Sequence, residues 1–105
     1  MRKEEITLLE HIKRERAKAR ALKKTRWWRK KLERGICYYC GRKVSPEELT
    51  MDHRIPLSRG GASTRENIVP ACRDCNAKKK YLSPWEWEEY LMRLKRGEGA
   101  TSCVE

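Results

Sequence analysis

At 105 residues, with no phenylalanine, the chain has room for one small domain and not for a large core. Lysine and arginine outnumber aspartate and glutamate 26 to 15, a formal charge of +11, which favours a polyanion such as DNA, with RNA as the alternative. No apolar run approaches a membrane span, and the N-terminus lacks the apolar core of a signal peptide, so a cytoplasmic chain with no membrane partner is expected.

The charge is unevenly spread. Residues 1–34 hold 14 basic and 5 acidic side chains, a net of +9, against +2 for residues 35–105. From Ile6 to about Arg34 there is neither proline nor glycine, and strong helix formers dominate, which predicts one long basic helix. Its large apolar residues sit at the two ends (Ile6, Leu8, Leu9 and Ile12; Leu22, Trp27, Trp28 and Leu32), so the middle is expected to face solvent or phosphate. Glu15 can pair with Lys18, but Arg14–Lys18, Arg16–Arg20 and Arg20–Lys24 repel at i,i+4. A bound polyanion would relieve that repulsion; the plainer reading is a solvated basic face that binds nothing, and the density of local charge weighs against it.

Gly35 is placed to end the helix, and Cys37-Tyr38-Tyr39-Cys40-Gly41 then reads as a zinc knuckle. Ser45-Pro46-Glu47-Glu48 predicts a helix start with room for one turn, Leu49–His53 a short strand closed by Pro56, and residues 58–63 a glycine-containing flexible loop. Asn67–Ala71 can return as a second strand, and Arg73–Lys80 has helical composition. Ser83-Pro84-Trp85-Glu86 is a capping box with proline at the first helical position. Trp87, Tyr90, Leu91 and Leu94 follow at i, i+3, i+4 and i+7, an aromatic stripe read as core and not as a base-stacking platform. Gly97 and Gly99 end this helix, with a frayed tail to Glu105.

Two Cys-x-x-Cys pairs, Cys37/Cys40 and Cys72/Cys75, satisfy the closed tetrahedral shell of structural Zn²⁺, and a reducing compartment disfavours disulfides. The 31 residues between Cys40 and Cys72 must then fold back on the metal, and Cys103 is left as a spare thiol. Four sulfur ligands leave no position for substrate, so any catalysis falls to the residues between the pairs. Asp52 and His53 are neighbours on a predicted strand and should face opposite ways. Histidine suits deprotonation of water near neutral pH, while the Asp52 carboxylate with the Asn76 amide oxygen suits a hard ion such as Mg²⁺.

The ordered set of Cys37-Tyr38-Tyr39-Cys40-Gly41, then Met51-Asp52-His53-Arg54-Ile55-Pro56-Leu57-Ser58-Arg59-Gly60-Gly61, then Asn67-Ile68-Val69-Pro70-Ala71-Cys72-Arg73-Asp74-Cys75-Asn76 with Lys78 resembles the HNH endonuclease family over about half the chain. The resemblance implies a small ββα-metal domain with a four-cysteine zinc knuckle pair; with the helices read above this gives an α+β fold whose nuclease domain takes in residues 35–97, including the C-terminal amphipathic helix at 83–97. A basic N-terminal helix (1–34) and a flexible tail (98–105) flank it. It further implies a metal-dependent DNA endonuclease in which His53 is the general base, Asp52 and Asn76 hold one divalent ion, and Asn67 braces the loop and helps orient the base. Products with 5′-phosphate and 3′-hydroxyl ends are expected. Asn76 stands where many members have histidine, which favours Mg²⁺ or Mn²⁺ over softer ions. Arg54, Arg59, Lys78 and Lys79 are candidate backbone contacts, weighed against plain surface positions. The alternative function is a non-catalytic zinc-stapled module that binds nucleic acid, which needs the cysteines and the basic arm but has no use for Asp52, His53, Asn67 and Asn76 in that order. One active site cuts one strand at a time, so a monomer or weak dimer is expected.

Overall fold

The computed structural model describes residues 3–96; the predicted stop at Gly97 and Gly99, the tail and the Cys103 thiol lie outside them. Within the described residues the chain is α+β: α1 (Lys3–Lys23), α2 (Arg26–Arg34), β1 (Leu49–His53), β2 (Ile68–Cys72), α3 (Arg73–Tyr81) and α4 (Pro84–Lys95), with β1 and β2 paired as an antiparallel sheet. Among these residues no helix is long and apolar enough to cross a membrane.

The predicted single N-terminal helix is two. Thr25 breaks it by serving both sides: its hydroxyl donates to the Leu22 carbonyl at 2.6 Å, ending α1, and accepts from the Trp28 amide at 3.3 Å, starting α2. The Lys24 and Thr25 amides turn back onto Ala21 and Leu22 in tight i→i+3 bonds. A threonine that satisfies one helix end and caps the next competes with continuation of the helix, and no glycine or proline is needed to stop it.

The chain packs as two compact units, one built from the described residues up to Lys30 with Met51–Val69, the other from Lys31–Thr50 with the described residues from Pro70 on. In the first unit α1 packs against the 3₁₀ turn Leu57–Arg59. Arg14, Arg16, Lys18 and Arg20 are exposed as expected, but the middle of the helix also has an inner face, because Glu15 and Ala19, four residues apart, are both buried. Trp28 is buried too, and the Arg65 guanidinium lies 5.6 Å over the ring of Trp27.

In the second unit Gly35 closes α2 at φ +65°, where a Cβ would come within 2.6 Å of the Val44 carbonyl oxygen. That space is needed because the Val44 amide donates to the Gly35 carbonyl at 2.7 Å, which folds the knuckle back on itself. Ser45 does not cap through its side chain; its hydroxyl donates to the Glu48 carboxylate, and the segment closes as a single 3₁₀ turn, Pro46–Glu48, that leads into β1. β2 lies one residue later than expected at both ends, and the amides of Asn67 and Ile68 both turn back onto the Thr64 carbonyl. The Pro70 carbonyl accepts from the Tyr38 amide at 2.8 Å, so the knuckle docks on the outer edge of β2, where a proline costs no ladder bond.

The core of this unit is Cys37, Cys72, Cys75 and Trp87, with Tyr39, Val44, Leu82, Tyr90 and Leu91 packed around them. Trp87 stands edge-on to Tyr39 at 5.0 Å and stacks on Tyr90 at 5.5 Å. The aromatic stripe of α4 is therefore core, while Trp85, off that stripe, is 67% exposed. The capping box forms as expected: the Ser83 hydroxyl accepts from the Glu86 amide, and the Glu86 carboxylate accepts from the Ser83 amide.

Candidate active site and metal centre

The sulfurs of Cys37, Cys40, Cys72 and Cys75 all lie within 4.8 Å of one another, with Cys40 and Cys72 at 4.0 Å. Sulfurs at tetrahedral corners about 2.3 Å from a zinc are about 3.8 Å apart, so the four residues fit Zn²⁺ as they stand. A hydrogen bond from the Cys75 thiol, together with the amides of Cys40, Cys72 and Tyr39, holds the Cys37 thiol far below its ordinary value against the opposing effect of burial, favouring the thiolate that zinc requires. Gly41, at φ +74°, turns the chain just after Cys40, and its amide donates to the Cys37 carbonyl at 2.9 Å. Cys72 ends β2 and also caps α3, its sulfur accepting from the Cys75 amide at 3.4 Å.

The first unit holds a second constellation. The Asn67 carboxamide accepts from the Ile55 amide at 2.9 Å and donates to the carbonyls of Ile55 and Ala62 at 3.1 and 2.8 Å, tying together both ends of the loop that follows His53. Gly61 lies so close to the chain at Ile55 that a Cβ would meet the Ile55 carbonyl oxygen at 1.9 Å, which leaves no room for any side chain. Half-buried His53 bonds through Nε2 to the Ser63 hydroxyl at 2.9 Å. Ser63 is buried against α1: its amide donates to the Glu15 carboxylate at 2.6 Å, and its hydroxyl donates to the Glu15 backbone carbonyl. One turn earlier His11 Nε2 bonds the Gly61 carbonyl at 2.7 Å. Lys18 pairs with the other Glu15 oxygen at 3.1 Å. The Ser63 amide first, and Lys18 after it, hold the Glu15 carboxyl below its usual value.

Of the residues expected to matter, the structure gathers the four cysteines into one cluster, sets His53 at the end of β1 and has Asn67 brace the loop that follows it. Asp52 is half-buried on β1, in the first unit; Asn76 is half-buried on the first turn of α3, in the second. Arg54 and Arg59 are exposed, Arg54 reaching the Glu66 carbonyl at 3.4 Å. Lys78 is less available than expected, since it pairs with Asp74 at 2.7 Å and sits 5.3 Å over the Tyr90 ring, and Lys79 lies 5.9 Å over Tyr39. Ser63, Glu15 and His11 were not expected. The sequence carries no local signal for them beyond the Glu15–Lys18 pair, because their partners are 48 and 50 residues away.

A family model described as HNH endonuclease matches residues 37–81. Two curated relatives are similar over part of the chain. A CRISPR-associated endonuclease Cas9 of Corynebacterium diphtheriae is 41% identical over 44 residues, 41% of this chain and 4% of the relative. The type IV methyl-directed restriction enzyme EcoKMcrA of Escherichia coli is 35% identical over 60 residues, 51% of this chain and 22% of the relative. The chain thus spans under a quarter of either relative's length.

Proposed function

We propose that residues 37–81, which match a family model described as HNH endonuclease, form a nuclease domain of that kind, and that the chain hydrolyses phosphodiester bonds in DNA with His53 as general base. The observation that carries the reading is that the matched segment contains the zinc quartet, Asp52, His53, Asn67 and Asn76 in one ordered set. A zinc-binding module without catalysis has no use for the last four. One relative is named an endonuclease and the other a restriction enzyme, which supports cleavage of nucleic acid as the activity.

In this reading His53 takes the proton of the water that attacks phosphorus in line with the leaving 3′ oxygen. Asn67 keeps the loop after His53 closed, so that the ring is presented from a fixed backbone. The oxygen donors of Asp52 and Asn76 suit Mg²⁺ or Mn²⁺, and such an ion would supply charge stabilisation to the reaction. The four cysteines hold structural zinc and take no part in the chemistry. Exposed Arg54 and Arg59 grip the strand being cut, and the exposed basic residues of α1 add non-specific backbone affinity.

The test is nicking of supercoiled plasmid. Mg²⁺ or Mn²⁺ should support it, and His53→Ala should lower it by at least the 10²–10⁴-fold that general-base catalysis typically contributes, with the fold and zinc content intact. A His53→Ala protein as active as wild type sinks the assignment of the base.

A further inference from the structure

We infer that α1 is a positioning element for His53, acting through Ser63: the helix fixes the loop that holds the serine, and the serine fixes the orientation and tautomer of the imidazole. The inference deepens the proposed function and rests on its reading of His53 as general base.

The Glu15 backbone carbonyl can only accept, so the single proton of the Ser63 hydroxyl goes to it. The hydroxyl then has only lone pairs to offer His53, and Nε2, 2.9 Å away, must be the protonated nitrogen. In the neutral ring the basic lone pair is thereby assigned to Nδ1. Loss of this partner removes one constraint on the tautomer and on rotation about the Cβ–Cγ bond, so that a smaller part of the population would present a basic nitrogen to water.

Ser63 is itself held, and from one side. Its amide is bound by the Glu15 carboxylate, and two residues earlier the Gly61 carbonyl is bound by His11. Residues 11 and 15 are one helical turn apart and lie on the same face. They grip one N–H and one C=O of the loop, and burial of Ser63 and Gly61 keeps water from competing for those groups. None of the three holds substrate or metal in this scheme. Each acts through the ring of His53, and two of them, Glu15 and His11, lie outside the segment that matches the family.

The test uses the full zinc-loaded chain and reads the ring directly. Long-range ¹H–¹⁵N spectra of the two histidines should show His53 as the Nε2–H tautomer. In Ser63→Ala the His53 signals should move to mixed-tautomer positions; in Glu15→Ala, where the carbonyl acceptor remains but the amide is released, the change should be smaller. In the plasmid assay Ser63→Ala should lose roughly 10- to 100-fold in kcat with KM nearly unchanged, and Ser63→Thr, which restores the hydroxyl, should recover most of it. If Ser63→Ala does not fold, Ser63→Thr and Glu15→Gln, which keep both acceptors and donors, carry the comparison against Glu15→Ala. An Nδ1–H tautomer in wild type overturns the inference, as does a Ser63→Ala protein with wild-type kcat beside an inactive His53→Ala. If His53→Ala stays fully active, the functional reading fails instead, and the ring spectra still decide whether the clamp sets the tautomer.

Discussion

Glu15 sits on a helix whose middle the sequence reads as solvent-facing, yet it is only 3% exposed, because its carboxylate is the acceptor for an amide 48 residues away. The Ser63 amide and the Lys18 ammonium hold its carboxyl below the usual 4.5. A carboxyl whose pKa is lower in the folded state stabilises the fold above its unfolded value, and the contribution is lost as pH falls through the folded one. Wild type should therefore be more stable than Glu15→Gln at neutral pH, with the gap closing as pH falls well below 4.5; denaturant titrations at two pH values check this, and a gap that stays constant speaks against it. At this scale the legible residues were those whose meaning lies in spacing. The two Cys-x-x-Cys pairs announce in a few positions each the cluster that their sulfurs form. Ser63 and His11 do not, since a serine in a glycine-containing loop and a histidine on a basic helix look like dozens of solvated equivalents until the chain brings them together.

Among the elements, those with punctuation were readable. Ser83-Pro84-Trp85-Glu86 predicted α4 and its capping box, and Gly35 predicted the end of α2, because each supplies the group its helix terminus lacks. β1 matches its predicted span, and β2 is shifted by one residue at each end. The break at Thr25 was hidden, since Lys24-Thr25-Arg26 has no breaker and the threonine acts through two side-chain bonds that composition does not reveal. For α4 the packing outweighs the cap. Trp87→Ala removes a ring that meets both Tyr39 and Tyr90 and should cost about 3–5 kcal/mol, whereas Ser83→Ala should cost about 1 kcal/mol. Chemical denaturation of the two variants tests the ranking, which a Trp87→Ala loss no larger than that of Ser83→Ala would overturn.

For the molecule as a whole, the core of the second unit is built around sulfur and aromatic rings, and its short elements should depend on a metal held by the four cysteines. α3 has nine residues, fewer than the roughly 12–15 an isolated helix needs in water. Stripping zinc with a selective chelator should lower far-UV helicity and nicking together, and added Zn²⁺ should restore both. Withholding Mg²⁺ should stop nicking and leave the circular dichroism unchanged. Helicity that survives loss of zinc would count against the metal as the organiser of this core.

Cys72 gives that dependence an asymmetry. Cys72 is the last residue of β2, and its sulfur caps α3 and belongs to the four-cysteine cluster. Cys40 has a place in the cluster but caps no helix, and zinc accepts three sulfurs with one imidazole as readily as four sulfurs. A histidine in place of Cys40 can therefore keep the ion with the helix intact, whereas at Cys72 the same exchange moves the donor atom away from the backbone and forfeits the cap even if the ion is retained. Four ligands that are interchangeable in the eyes of the metal are not interchangeable in the eyes of the chain.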